Sequence, residues 1–358
     1  MKILFVGGHL SPALALIDYL INKPNVKTVF VGRRYNNDQE KSLSLEFKEI
    51  EKRKIKFYHL ATGRLTRIFN FNTLFNILKI PLGFLTALKI IYQEKPDIIF
   101  TFGGYIAFPI ALSALIFGIP LYTHEQTIKP GLANRIIALI AKKVFISFEE
   151  TKKFFPKDKT IYTGIPLKQS IFQSIKKPIS FKGIKKPKIF VMGGSLGSHS
   201  INLLIEKILS QLKKNYFVIH QVGNIRKYHD FERLKKMADK DYYVVDHFFD
   251  DEIGYIYRNA DLVISRAGAN TFFELIALKK PAVLIPLPWS ANNEQLNQAQ
   301  LFEKLGLGSF FNQDEKPEKL LAVIKKIFSN YQIYKKNFDC LPIKFYQNAT
   351  EKIIKYLL

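Results

Sequence analysis

A chain of 358 residues, 47% of them hydrophobic and 14% aromatic, carries more apolar mass than one ordinary core needs and predicts two domains. Its single cysteine, Cys340, excludes an internal disulfide and fits a reducing compartment, and the apolar run of residues 3–6 is too short for a signal peptide. Lys and Arg number 54 against 30 Asp and Glu, a net charge of +24. That charge suits an anionic membrane surface, whereas scattered lysines and the lack of a recognisable binding module leave nucleic acid unexpected as a partner.

In chain order, Lys2–Val6 predicts a strand and Gly7-Gly8-His9 a turn. Ser11 then fits a helix N-cap, Pro12 the first helical position, and residues 13–20 the helix. A strand follows at 26–31. The segment 64–91 is dense in apolar residues, has no acidic one, and is expected to be split by Pro81 and Gly83. No charged side chain occurs from 98 to 122, a length that would span a bilayer. Gly103-Gly104, Pro109 and Gly118-Ile119-Pro120 divide that run instead into a strand (97–102), a helix (107–117) and a strand (119–123), with a further helix at 134–142. The scheme restarts with a strand at 188–192, the turn Gly193-Gly194-Ser195-Leu196-Gly197 and a helix at 201–212. It continues with a strand at 261–265, a turn at 266–270, a helix at 271–278 and a strand at 282–285. Residues 169–188, rich in lysine and proline, read as a linker. Alternating strands and helices with glycine turns predict an α/β chain of doubly wound parallel sheets, in two Rossmann-like domains facing across a cleft.

A glycine turn between the end of a strand and the start of a helix turns bare N–H groups and the positive end of a helix dipole toward a ligand, so it suits phosphate without a metal. Several such turns point to a phosphate-bearing ligand, while no full G-x-G-x-x-G follows any strand, which argues against a dehydrogenase. Asp239-Lys240-Asp241 lies before a strand rather than after one and reads as solvated, not metal-binding.

Gly7-Gly8-His9-Leu10-Ser11-Pro12 resembles the GGH-x-x-P start of the MurG family. Phe102-Gly103-Gly104-Tyr105 with Pro109, the stretch Gly118-Ile119-Pro120, His124-Glu125-Gln126 and Pro130-Gly131-Leu132, and Gly193-Gly194-Ser195-Leu196-Gly197 are similar to that family's successive segments. So are Arg266-Ala267-Gly268-Ala269 with Thr271 and Glu274, then Pro286 and Asn293-Glu294-Gln295, and the resemblance runs in unbroken order to about Gly306. Three positions depart from the pattern. The first loop usually reads GGTGGH and here keeps only Gly7-Gly8-His9; Thr127 stands for an asparagine, and Lys168 for an arginine whose bidentate contact lysine cannot copy.

The resemblance implies a GT-B fold and an inverting transferase that moves N-acetylglucosamine from UDP-N-acetylglucosamine to lipid I, making lipid II for peptidoglycan, with no metal or other cofactor. It implies an acceptor- and membrane-binding domain (1–164), a linker (165–187), a UDP-sugar domain (188–335) and a C-terminal helical segment (336–358) packing back on the first domain. It assigns Gly7, Gly8, Gly103, Gly104, Tyr105, Glu125, Gln126, Thr127 and Lys168 to substrate binding, the departures among them falling around the acceptor side and the domain junction. On the donor side Ser195 lies near the donor and Phe249 beside the uracil. Ala269, Asn270 and Thr271 line the diphosphate region, Glu274 meets the ribose hydroxyls, Gln295 the sugar, and Glu294 is a further substrate-binding residue. Thr271 and Glu274 also have the spacing of a capping box, and Phe249 could be ordinary core. A neutral imidazole near pH 7 suits a general base, so His9 is the first candidate and His124 the reserve. Phe69, Phe71, Leu74 and Phe75 with neighbouring basic residues are expected to dock on the cytoplasmic face of the membrane. Alternatives are a transferase for another lipid, a UDP-sugar 2-epimerase, and a non-catalytic sugar-nucleotide-binding protein.

Overall fold

A computed structural model describes the backbone of residues 1–35, 43–63, 71–194, 197–223, 226–290, 293–342 and 346–358, and the side chains of these except 71–79 and 226. Ser195 and Phe69 lie outside the described residues, as do the side chains of Phe71, Leu74 and Phe75. The chain forms two units, Met1–Pro166 with Asn348–Leu358, and Leu167–Gln347.

The first unit holds a parallel sheet of β1 (Lys2–Val6), β2 (Lys27–Gly32), β3 (Lys56–His59), β4 (Ile98–Thr101), β5 (Leu121–Glu125), β6 (Lys143–Ile146) and β7 (Thr160–Tyr162), in the order β3-β2-β1-β4-β5-β6-β7. Its connecting helices are α1 (Leu10–Leu20), α2 (Leu45–Lys52), α3 (Phe71–Glu94), α4 (Ala107–Ile116) and α5 (Leu132–Ile140). Side chains alternate across a strand, so a sheet covered on both faces needs apolar residues at every position. β1 meets that need: Ile3 and Phe5 pack with Leu14 and Ile17 of α1 and with Ile353 and Ile354 of the C-terminal helix Ala349–Ile354. Leu4 and Val6 pack on the other face with Ile90 of α3, Ile110 of α4 and Ile137 of α5. Fully burying each such side chain is worth about 1.5–3 kcal/mol, which is what fixes the two helical layers.

The second unit repeats the plan with β8 (Lys188–Met192), β9 (Phe217–Gln221), β10 (Tyr242–Val245), β11 (Leu262–Ser265), β12 (Ala282–Leu284) and β13 (Gly308–Phe310), parallel in the order β10-β9-β8-β11-β12-β13. Its helices are α6 (His199–Asn215), α7 (Asp230–Lys235), α8 (Asp250–Asn259), α9 (Ala269–Ala277), α10 (Glu294–Lys304), α11 (Pro317–Ser329) and α12 (Tyr331–Asn337). Ile189 and Val191 of β8 share a core with Ile205 and Ile208 of α6 and Ile324 of α11.

Several local expectations need correcting. α1 begins at Leu10 with His9 at its N-cap, not at Ser11; Pro12 still lies in the first turn, where its missing N–H costs no helical hydrogen bond. α3 is one helix with Pro81 inside it rather than two pieces, and Gly83 is there because a Cβ would collide with Thr62. α9 begins at Ala269 after Gly268, so Thr271 and Glu274 are helical residues and form no capping box. The start of the supposed linker is a short 3-10 turn, Gln169–Phe172, seated on α8; the carbonyls of Ser170 and Gln173 leave no room for a side chain at Gly254. Of the segment 336–358, only Asn348–Leu358 belongs to the first unit.

Candidate active site

In an open parallel sheet the strand order reverses at one point, and the loops on either side of it part to leave a crevice at the strands' carboxyl ends. In the first unit that point lies between β1 and β4, hence between the turns Gly7-Gly8-His9 and Gly103-Gly104. The two turns touch back to back: a Cβ on Gly8 would collide with the carbonyl oxygens of Phe102 and Gly103. Gly103 and Gly104 hold φ of +73° and +81°, the left-handed region that side-chain-bearing residues rarely adopt.

His9 stands at this crevice, half-buried, with the side-chain amide of Gln126 2.8 Å from its Nδ1. Burial lowers its pKa below the ordinary histidine value, and the Glu125 charge opposes that shift only in part. The imidazole is therefore neutral at pH 7. Glu125 itself is turned inward, where its carboxylate accepts hydrogen bonds from Thr127 N (2.9 Å), Thr127 Oγ1 (2.7 Å) and Asn134 Nδ2 (2.9 Å). Glu125 and Thr127, expected to meet substrate, thus bind each other and join the β5 end to the start of α5. Asn134, which the sequence did not single out, also ties Thr123 and the His124 carbonyl into this clasp. Tyr105 lies half-buried beside Arg33, whose guanidinium stands 5.8 Å from its ring centre.

His124 fails as a reserve base. It is 1% exposed, its Nε2 meets Gly164 O and Ser147 Oγ, and burial drives its pKa down to about 3. It belongs to the core of the first unit.

The second unit's reversal point lies between β8 and β11. Gly194 and Gly197 there have φ of +90° and +86°, and the turn leads into α6, whose N-terminus adds partial positive charge. The next loop, Arg266-Ala267-Gly268, opens α9, so Ala269, Asn270 and Thr271 occupy its first turn, with Asn270 Oδ1 buried and unpartnered. Glu274, one turn on, accepts a hydrogen bond of 3.0 Å from Tyr257 Oη, and burial raises its pKa. Lys168 forms a 2.9 Å ion pair with Asp250 and stabilises the Glu274 charge across the unit. Phe249 is 61% exposed at the start of α8, which rules out core packing and leaves the ring free to stack. Gln295 Oε1 accepts from Leu287 N at 3.0 Å and so braces the loop before α10, while Glu294 Oε1 accepts from Gln298 Nε2 at 3.1 Å within α10 itself. Asp239 and Asp241 are ion-paired with Lys213 and Lys186.

Arg266 was visible only as part of a motif, and its role was not. It is 8% exposed, and its guanidinium donates to Ile285 O, Pro286 O, Ser198 Oγ, Ser200 Oγ and Gln313 Oε1, all neutral acceptors. Burial lowers its pKa to about 10, which leaves it charged at pH 7. One side chain therefore pins the end of the glycine turn, the loop after β12 and the loop after β13.

The Glycosyltransferase family 28 N-terminal domain matches residues 6–146, and the Glycosyltransferase family 28 C-terminal domain matches 188–353. A relative from Clostridium novyi, a UDP-N-acetylglucosamine–N-acetylmuramyl-(pentapeptide) pyrophosphoryl-undecaprenol N-acetylglucosamine transferase, is 34% identical over 99% of this chain and 98% of its own. A Bacillus cereus transferase of the same name, numbered 2, is 34% identical over 93% of each chain. Among solved structures, Acinetobacter baumannii MurG aligns with a TM-score of 0.71 at 24% identity, covering 99% of this chain and 98% of that one. A Neisseria meningitidis UDP-GlcNAc 2-epimerase bound to UDP-GlcNAc aligns at 0.67 and 15% identity, covering 100% and 99%, a likeness of fold alone. With two doubly wound units of the GT-B kind and both family 28 domains in sequence, this chain is a glycosyltransferase and belongs to the MurG family.

Proposed function

We propose that this enzyme transfers N-acetylglucosamine from UDP-N-acetylglucosamine to N-acetylmuramyl-(pentapeptide) pyrophosphoryl-undecaprenol, lipid I, forming lipid II for peptidoglycan. The observation that carries the reading is near-full-length identity of 34% to transferases of that name. A muramyl-sugar hydroxyl attacks the donor's anomeric carbon as its proton passes to His9 Nε2; the bond to the UDP oxygen breaks and inverts that carbon. Glycine-turn amides and the starts of α6 and α9 meet the charge that develops on UDP, so this reading calls for no metal. Phe249 offers a face for the uracil and Glu274 a carboxylate for the ribose. The direct test supplies radiolabelled UDP-N-acetylglucosamine with a lipid I analogue. Labelled disaccharide-lipid is expected; free epimerised sugar, or binding without turnover, overturns the reading.

Glu274→Ala should weaken UDP-N-acetylglucosamine binding by about 1.5–3 kcal/mol, the usual cost of losing a charged hydrogen-bond partner. Titration calorimetry checks it. Unchanged affinity with a lower melting temperature would leave Glu274 only its hydrogen bond with Tyr257.

The acceptor is lipid-anchored, and a docking surface for the inner leaflet belongs to the same proposal. α3, α4 and α5 are neighbours, and their only acidic residue is Glu94, which is buried and bonded to Lys2, Lys56 and Tyr58. Leu85, Leu115 and Leu139 on these helices are 60%, 57% and 64% exposed, and Lys89 on α3, Arg135 on α5 and Lys142 just after α5 are exposed as well. An apolar patch rimmed by cations suits an anionic leaflet, each cation adding about 1 kcal/mol at low salt. No helix among the described residues is long and apolar enough to cross a membrane. A Leu85→Ser, Leu115→Ser, Leu139→Ser variant should sediment with anionic vesicles at least tenfold more weakly than the unmodified chain. Equal binding would dismiss this face.

A further inference from the structure

The turn after β1 already contains an anion, supplied by the chain itself. Glu46 lies in the first turn of α2, and Ser44 at the N-cap fixes where that helix starts, accepting from Phe47 N at 3.0 Å and donating to Arg33 O at 2.5 Å. A backbone bond of 2.8 Å from Ser44 N to Arg34 O adds a second stitch to the end of β2. Held this way, Glu46 reaches back over the ends of β1 and β2. Its Oε2 accepts the Arg33 N–H at 2.8 Å, and its carboxylate fills the space that a Cβ would take at both Gly7 and Gly32. Burial raises its pKa above the ordinary carboxylate value, and the Arg33 amide and guanidinium and the Gly8 amide oppose that shift only in part.

Bare glycines, an inward amide and the positive end of α1 are the parts from which strand–turn–helix units build phosphate sites. Here a carboxylate occupies that position. Gly7 and Gly32 are glycines because Glu46 needs the room, not because a substrate backbone or phosphate approaches them.

We propose that Glu46 is the resident anion of the first glycine turn and a specificity-determining residue: it excludes phosphate from the Gly7-Gly8 amides and braces the loop that carries His9. On this proposal the acceptor's diphosphate is not bound by the Gly7-Gly8 amides. A second anion in the same few ångströms would face Coulomb repulsion in a poorly solvated site, so it could enter only if Glu46 left or took up a proton.

This deepens the transferase reading, but its test does not use transfer, so the two can fail separately. The full-length chain is saturated with UDP, so that the second unit's phosphate site is filled. Inorganic pyrophosphate is then titrated while the Gly8 and Arg33 amide resonances are followed, in wild type, Glu46→Ala and Glu46→Gln. Wild-type resonances should stay put, whereas Glu46→Ala should show saturable shifts with an apparent Kd at least tenfold lower than any wild-type response. Glu46→Gln keeps the shape and removes the charge. It should melt close to wild type and bind pyrophosphate between the other two, and it carries the test if the alanine variant does not fold. Equal shifts in wild type and variants would overturn the exclusion. A folded variant whose two amides ignore pyrophosphate would show that the turn is no anion cradle, and the proposal would fall.

Discussion

His9→Ala should lower turnover by about a hundredfold or more, the usual contribution of a positioned general base, with affinity for UDP-N-acetylglucosamine nearly unchanged. The argument rests on protonation and tautomer together. Burial holds the His9 pKa below the reference value of about 6.5, so the fraction able to accept a proton is already near its maximum at pH 7. The acid limb of kcat/KM should therefore fall at a pH below that reference value, since activity is lost only when the ring gains its proton. The tautomer depends on Gln126. If its amide N–H donated to Nδ1, the ring proton would sit on Nε2 and block the atom that must act. The structure sets Gln126 Nε2 2.8 Å from Nδ1 and leaves Oε1 buried without a partner; turning the amide end for end lets Nδ1–H donate to Oε1 and frees the Nε2 lone pair. Gln126→Leu should accordingly cut kcat with little change in donor KM, while Gln126→Glu keeps an acceptor facing Nδ1 and should retain more activity, with its acid limb moved to higher pH. Steady-state kinetics across pH 5–9 decide the matter. A His9→Ala enzyme with wild-type turnover removes His9 from the chemistry.

What could be read from the chain alone was whatever local pattern dictates. The doubly wound plan follows from strands with unbroken apolar runs after a leading lysine, such as Lys2–Val6 and Lys188–Met192, set between glycine turns and amphipathic helices. The residues that frame each reversal point, Gly103, Gly104, Gly194 and Gly197 among them, follow from the φ that such turns impose. Direction of a polar side chain did not follow. Glu125 and Glu46 are both carboxylates near a glycine turn. One closes a loop against Thr127 and Asn134, near it in sequence, and the other fills the turn itself because α2 packs back over the ends of β1 and β2. Nor did residue type foretell burial at Phe249 and His124: the aromatic residue is exposed at a helix start, and the histidine is buried within β5. Helix starts went wrong where a proline or a Thr-x-x-Glu spacing suggested a cap and a preceding His9 or Gly268 took the position instead.

Arg266→Ala should cost the second unit about 2–5 kcal/mol. Ser198, Ser200 and Gln313 can hydrogen-bond one another once the guanidinium is gone, as their 3.2 Å and 3.1 Å contacts already indicate. The carbonyls of Ile285 and Pro286 have no such substitute, and a buried acceptor left without a donor costs about 1–3 kcal/mol. Opposing this is the relief of removing a buried charge that no carboxylate among the described residues neutralises. The loss should win, because two carbonyls and the space of a whole side chain are left behind. Arg266→Lys should rescue only part of it, since one ammonium cannot span acceptors on three separate loops. The functional consequence distinguishes this hub from simple core support. Ser198 follows directly on the turn proposed to hold the diphosphate, so slackening it should weaken UDP more than uridine, which has no phosphate to lose. Calorimetric affinities for UDP and uridine, measured on Arg266→Lys alongside thermal unfolding, separate the two effects. A variant that melts early but loses both ligands equally would make Arg266 a support of the fold alone. A selective loss of UDP would show that the buried charge and its hydrogen bonds set the geometry of the phosphate-binding turn.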